Sequence, residues 1–539
     1  MTRIMFSLLA IVTAVGTLTA QAVDPSRVPD RYDRPAWTQQ WSPLIPFGQL
    51  ARRLPSAPGQ LGLLLYPDPP VGLFWTAANP AALAFEIAAA RTEFMASLAH
   101  ESGDFRRPLD PKRTTERGVS ALSWMPLGDR AGVIGQVVFD ERLFDDTRAD
   151  QLDPHGSAPF VVSDTGASDL RSTKARLEAA GGWRLGSWAL GVSGGLEAVT
   201  LRTRRDPVPT VDRAARPGAT IGVARRFGLG DLVVGVHGRW QRDVETLAMG
   251  NAPFGGIVHR FEGFTEPTVT DLAPSNPPFS RRIERHSLAG GAGLAVTMLG
   301  MRWVAFGQRT RYRDEQSRDT RSPVLDKWRA TGIGLGGAVQ RAIADRALVT
   351  LNVRWRDVDG QARKPDLRGN LFVADEQAWS ANLETRIHRL RGGWSLATEI
   401  SFRREKRRRR DVIAEVLTDI RSSNFGVNLE VARKFSNLLG VSASYTRSFY
   451  TAEGTIPKPT VLGPLFQELI APELGLYLTD TQPEAARFSV QWKSNPTTAL
   501  VVQARYQSFA PSDNSLSRLS FAPGGDRNGW RVRFGVILQ

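Results

Sequence analysis

The sequence predicts an all-β chain that closes into a transmembrane antiparallel β-barrel of about 18 strands, sixteen to eighteen being the range its segments allow, behind an irregular N-terminal segment. Three observations carry that prediction. Short segments alternate apolar and polar residues, very short connections exchange with long ones, and an export signal is followed by no apolar run long enough for a membrane helix.

The alternation is clear in residues 394–403, WSLATEISFR, where Trp394, Leu396, Thr398, Ile400 and Phe402 fall on one side of an extended chain. The other side carries Ser395, Ala397, Glu399, Ser401 and Arg403. Residues 347–356, 379–388, 486–493 and 530–539 repeat the pattern. Counted this way, about eighteen segments begin between residues 90 and 528. The Gly-rich stretches LAGGAGLAV (288–296) and TGIGLGGAV (331–339) are weak strands by propensity and are the ones most open to miscounting.

Such strands suit a soluble sandwich as well as a barrel, and the connections decide between them. Links such as LGD at 127–129, LGS at 185–187, LGM at 299–301 and RGG at 391–393 alternate with long polar stretches. The long ones are read at 144–168, 204–216, 247–283, 314–325, 360–376, 408–420, 452–484 and 510–527. One end of the sheet therefore has tight turns and the other large loops, the asymmetry of outer-membrane barrels. Aromatic girdles are a second expectation. Trp183, Trp188, Trp303, Trp394 and Trp492 fall near short turns, while Trp240, Trp328, Trp355, Trp379 and Trp530 fall mid-strand or nearer the long loops.

Residues 1–22 read as a signal peptide: Arg3, an apolar stretch from Ile4, and the small-x-small site Ala20-Gln21-Ala22. Export through a cleaved signal peptide places the chain in the outer membrane of a Gram-negative cell envelope. Residues 23–89 form a Pro-rich segment without strand alternation, a plug or a periplasmic tail, and residues 90–539 form the barrel. Cysteine is absent, so disulfides, thiolate metal sites and Cys nucleophiles are excluded; no metal or other cofactor is expected.

The stretch GLFWTAANPAALAFEIAAARTEFMASLAH (72–100) resembles the approach to the first barrel strand in the FadL-type and PorV-type outer-membrane families, and in uncharacterised barrel families of similar length. The motif that carries the resemblance is Asn79-Pro80-Ala81, just before a strand at 92–99. The resemblance implies transport through the lumen, with the leader as plug, or a non-transporting barrel that anchors or assembles a surface or secretion complex. A leader of about 67 residues is short for the globular plug of a TonB-coupled transporter.

If the apolar faces meet lipid, the other faces line the lumen. Lys174, Arg176, Arg226, Arg239, Arg354, Arg356, Arg386, Arg403, Arg487, Lys493, Arg505, Arg531 and Arg533 then face inward, against Glu93, Asp140, Glu178, Glu197, Glu384, Glu399 and Glu430. Thirteen basic against seven acidic groups leave six positive charges in excess, a field that favours anions. The expected function is a passive channel or transporter for small anionic or amphipathic solutes. The competing reading is that these charges pair across the interior and close it.

Further arginines, at 106–117 and 403–410, are read as external-loop clusters able to hold lipopolysaccharide phosphates. The expected partners are outer-membrane lipid and lipopolysaccharide, small solutes, and the barrel assembly machinery, whose signal the alternation from Trp530 to Leu538 fits. The chain has a net charge of +15, but export argues against a nucleic-acid partner. No His-Glu-x-x-His, Gly-x-Ser-x-Gly or P-loop pattern occurs. The one loop cluster of catalytic residue types, His155 with Asp153, Ser157 and Asp164, is what a polar loop contains by chance, so no enzyme is expected.

Overall fold

The computed structural model describes residues 72–74, 79–86 and 90–538, except 107–109, 148–159, 164–167, 206–209, 229–230, 251–256, 263–267, 274–275, 277, 319–322, 344–346, 365–369, 391, 414, 456–470, 496 and 513–524. The signal peptide, most of the Pro-rich segment and the His155 cluster lie outside the described residues.

In chain order the strands are β1 (Arg91–Gly103), β2 (Arg113–Leu127), β3 (Ala131–Thr147), β4 (Phe160–Ser163), β5 (Ser168–Leu185), β6 (Trp188–Arg205) and β7 (Thr210–Arg226). They continue with β8 (Val233–Met249), β9 (Ile257–Glu262), β10 (Thr268–Asp271), β11 (Phe279–Met298), β12 (Met301–Ser317), β13 (Asp326–Ile343) and β14 (Ala347–Arg363). The last are β15 (Phe372–Leu390), β16 (Trp394–Asp411), β17 (Val416–Lys434), β18 (Leu439–Thr455), β19 (Glu484–Asn495), β20 (Thr498–Phe509) and β21 (Arg527–Leu538). β4, β9 and β10 make a separate three-stranded sheet. The other eighteen form one antiparallel meander, and β1 pairs with β21, Thr92 opposite Leu538, so the sheet closes on itself. Closure removes the edges an open sheet would leave unpaired. Both Gly-rich stretches are full strands, β11 and β13.

The sheet is inverted relative to a soluble protein. On β16 Trp394 is 40% exposed and Ile400 44%, whereas Ala397 between them is fully buried. The apolar residues therefore point outward and their small or polar neighbours inward, the architecture of outer-membrane barrels. Trp183, Trp188, Trp303, Trp394 and Trp492 are exposed beside the short turns, and Trp240, Trp355, Trp379 and Trp530 are exposed higher on the wall. Trp328 corrects the expectation: it is fully buried inside the barrel, where it occupies the space left by Gly360 and meets Phe372. Its position on β13 has inward parity, like Asp326 and Ala330.

The tight end is built from turn chemistry. At the β11–β12 link Leu299 and Gly300 both have positive φ, the two-residue geometry whose twist matches paired strands. At the other end two expected loops are corrected. Only residues 206–209 separate β6 from β7, and only 412–415 separate β16 from β17. The strands run on past the apolar belt, where both faces carry polar or charged side chains, the inward Asp212, Glu405 and Arg407 being buried, so the contrast between alternate residues fades while backbone pairing continues. The run Arg403–Arg410 is thus strand, with Arg408 opposite Asp375 and Arg407 opposite Glu376 on β15, and Arg113 and Arg117 belong to β2. Among the described residues no helix is long and apolar enough to cross a membrane, which says nothing of strands.

Candidate functional site in the barrel lumen

Among the described residues the lumen holds three layers of side chains, and the lowest is built on Asn79-Pro80-Ala81. Asn79 caps the 3-10 turn Pro80–Ala82, with Pro at the first position where no N–H is needed. Its Oδ1 accepts from Ala81 N at 3.1 Å, while its Nδ2 donates to Val236 O (3.2 Å) and Val223 O (3.4 Å) in the barrel wall. One helical turn, Leu83–Glu86, follows, and the Glu86 carboxylate accepts from Leu73 N (2.6 Å) and Phe74 N (3.1 Å). The wall makes room with glycine. A Cβ at Gly182 on β5, Gly191 on β6, Gly222 on β7 or Gly235 on β8 would overlap Asn79, Pro80 or Ala81. Leu73, Phe74, Ala81, Ala82 and Leu83 pack there against inward residues such as Leu122, Ile134, Ala180, Ala189 and Ala224, an apolar core inside the barrel beside its tight turns.

The upper layer is a second apolar cluster. The helix Ala471–Tyr477, from the connection after β18, packs with Phe105, Trp328, Phe372, Ile420 and Phe509. The Tyr450 hydroxyl donates to Tyr477 O at 2.8 Å, and the Arg407 guanidinium lies over the Tyr477 ring.

Between these lies a belt of charge. Arg285 on β11 reaches Glu245 (2.6 Å) and Asp243 (2.9 Å) on β8 and Asp314 (3.3 Å) on β12. Asp243 also meets Arg216 on β7 (3.1 Å), which holds Glu197 on β6 at 2.9 Å. Charges this far from water need such partners. Around the wall, Arg176 pairs with Glu178, Arg386 with Glu384, and Glu405 accepts from Arg403 and Arg407 with Arg356 at 3.7 Å. Asn382 donates to Glu399, and Arg533 to Gln503 at 3.3 Å. Arg239 and Glu430 are buried on inward positions of β8 and β17; Arg354 on β14 and Lys493 on β19 are half-buried.

Strand register brings several of these groups into one cross-strand row. It runs Arg386, Ala397, Glu430, Ser444, Arg487, Arg505, Arg531, Ala99, Glu116, Arg142. Arg487, Arg505 and Arg531 stand directly opposite one another on β19, β20 and β21. Glu116 lies 3.5 Å from Arg531 and 2.9 Å from Arg142, and Arg487 donates to Ser444 Oγ at 3.2 Å.

Sequence reading missed Arg216, Asp243, Glu245, Arg285, Asp314, Glu376 and Glu405 as lumen groups, and placed Arg407 in an external loop. Arg216, Asp314 and Glu376 lie in stretches read as loops, and Asp243, Glu245, Arg285 and Glu405 lie on inward positions left out of the charge count. These acids reduce the inferred positive excess. The inward glycines near the tight turns of β5 to β8 were the available sign of the Asn79 seat. Among the described residues no cluster of His, Asp and Glu is arranged to hold a metal ion.

Residues 80–538 match the model of a family of unknown function (DUF6850). The chain belongs to that family. The match opens at Pro80, inside the seated motif. A comparison with curated proteins gives no match. Similar solved structures include the FrpB iron transporter from Neisseria meningitidis (10% identity, 85% of this chain and 82% of that one, TM-score 0.43). The ferric-catecholate import receptor Fiu from E. coli K12 is another (9%, 84% and 81%, 0.44), as is the ferripyoverdine receptor of Pseudomonas aeruginosa (8%, 84% and 72%, 0.38). The FadL-type and PorV-type kinship suggested by Asn79-Pro80-Ala81 finds no support in these comparisons.

Proposed function

We propose that this member of the DUF6850 family is a gated outer-membrane transporter for small anionic or amphipathic solutes, passive, and closed at rest. The observation that supports it is the row Arg487–Arg505–Arg531. Like charges directly opposite one another cost a sheet stability, and an inward arginine row becomes useful where anions pass. Residues 79–86 are the gate, seated by wall glycines. The chain reaches the membrane after signal-peptide cleavage, folds with the barrel assembly machinery, and needs no cofactor and performs no catalysis.

The test is planar-bilayer recording under a salt gradient. The full chain is expected to conduct rarely. The variant Gly191→Leu, whose side chain takes the place of Ala81, is expected to conduct steadily with an anion-selective reversal potential. Adding Arg487→Gln, Arg505→Gln and Arg531→Gln should move that potential toward zero. Silence from every variant removes transport and leaves a second reading, a non-transporting barrel that anchors or assembles a surface complex. The Arg285 cluster favours that reading, because it ties five neighbouring strands together in a space a solute would need.

A further inference from the structure

The outward wall of β8, β11, β12 and β13 departs from the apolar belt in one patch. Arg309, Arg311 and Arg313 are successive outward positions of β12, all exposed, and Arg313 stands directly opposite the exposed Arg329 of β13. On the other flank Leu288 faces Arg311 and Trp240 faces Leu288, both strongly exposed. Outward Gly238 and Gly290 have open space where a Cβ would stand, so the wall recedes. A groove of about 790 Å³ results, its lining including Trp240, Leu288, Arg311, Arg313, Arg329 and the carboxylate residue Asp359. Arg313 pairs with Glu315, which Lys327 also approaches at 3.7 Å, so that one carboxylate serves two cations.

The height of the patch says what it meets. A strand rises about 3.3 Å per residue and a membrane barrel tilts its strands by roughly 40°, so ten residues climb about 25 Å, the height of the apolar band. Arg311 stands ten residues above Met301, where β12 leaves its tight turn. The arginines therefore sit at headgroup level on the long-loop side, above outward Ile333, Leu335, Leu294 and Val236.

We infer that this groove binds a phosphorylated lipid of the outer leaflet, of the lipid A class. Phosphate is held by Arg311, Arg313 and Arg329, and an acyl chain lies over Leu288 and Trp240. Guanidinium matches phosphate bidentately and keeps its charge beside lipid, and the apolar floor takes the chain that inorganic phosphate lacks. The inference rests on the outer-membrane placement proposed above but not on transport, and its test reads binding alone.

The experiment is native mass spectrometry of the full, folded barrel in detergent, its folding checked by heat-modifiable migration. The probes are lipid A, lipid A stripped of both phosphates, and phosphatidylglycerol. Wild type is expected to retain lipid A at least tenfold better than either alternative. The variant Arg309→Gln/Arg311→Gln/Arg313→Gln/Arg329→Gln should lose that preference, while Arg171→Gln/Arg202→Gln/Arg213→Gln, exposed on β5, β6 and β7, should keep it. Equal retention by the two variants overturns the site. Equal binding of dephosphorylated lipid A overturns the role of phosphate, and equal binding of phosphatidylglycerol overturns the lipid A assignment.

Discussion

Along the arc from β6 to β12, Arg216 and Arg285 each hold two or more carboxylates, whereas on β19 to β21 Arg487, Arg505 and Arg531 face one another in register. The same two-residue periodicity produces both arcs. It decides which residues face the lumen, and the order of charges on neighbouring strands decides whether that face is cross-linked or electropositive. The first arc is arranged like a protein interior, with opposite charges satisfied locally. The second sets three like charges side by side, with Glu116 3.5 Å from Arg531 at one end of the row and Ser444 accepting from Arg487 at the other. Stability should therefore be concentrated on one side of the barrel and selectivity on the other.

The largest test of that division is Arg285→Leu. It leaves Asp243, Glu245 and Asp314 buried around the space of their shared cation. Breaking a buried pair costs about 3–5 kcal/mol because the remaining charge is uncompensated. The temperature at which the barrel loses its compact gel migration should fall markedly, and a variant as robust as wild type would show that the cluster carries no structural weight.

The seat of residues 79–86 offers a middle-sized test, since it touches β5 to β8 near their tight turns, at glycines and not at the charged side chains those strands carry higher up. Asn79→Ala removes the donor shared by Val223 O and Val236 O, worth roughly 1–3 kcal/mol when a buried polar group loses its partner. The loss should appear as faster amide exchange in residues 79–86 with the barrel strands unchanged. Exchange that rises equally in β7 and β8 would mean that the segment is part of the wall and not a separable gate.

How much of this was legible follows from where period two carries contrast. Between Trp394 and Phe402 one side meets lipid, so strand, face and sidedness could be read directly. Beyond Arg403 both faces carry charged side chains, and Arg403–Arg410 reads as a charged loop although it is strand with inward Glu405 and Arg407 buried. Arg216, beside Pro217 in β7, was hidden in the same way, since proline in a central strand argues against the assignment it has here. Asn79-Pro80-Ala81 was visible as a motif, but its use was not. Its seat is made of the missing side chains of Gly182, Gly191, Gly222 and Gly235, and an absent side chain shows its purpose only when something occupies the space.

The smallest expected effect is the most discriminating. Arg505 has Arg487 on one side and Arg531 on the other, so Arg505→Gln relieves two like-charge contacts while keeping a polar side chain of similar reach. Directly opposed pairs are worth roughly 0.2–1 kcal/mol in a sheet, so the variant should be as stable as wild type or slightly more so, the opposite sign to Arg285→Leu. Because the repulsion is screened by ions, the gain should be larger at low salt and shrink as chloride is added. A loss of stability at every salt concentration would mean that the interactions Arg505 already makes within the protein outweigh the repulsion from Arg487 and Arg531, and the division between a cross-linked arc and an electropositive one would fail.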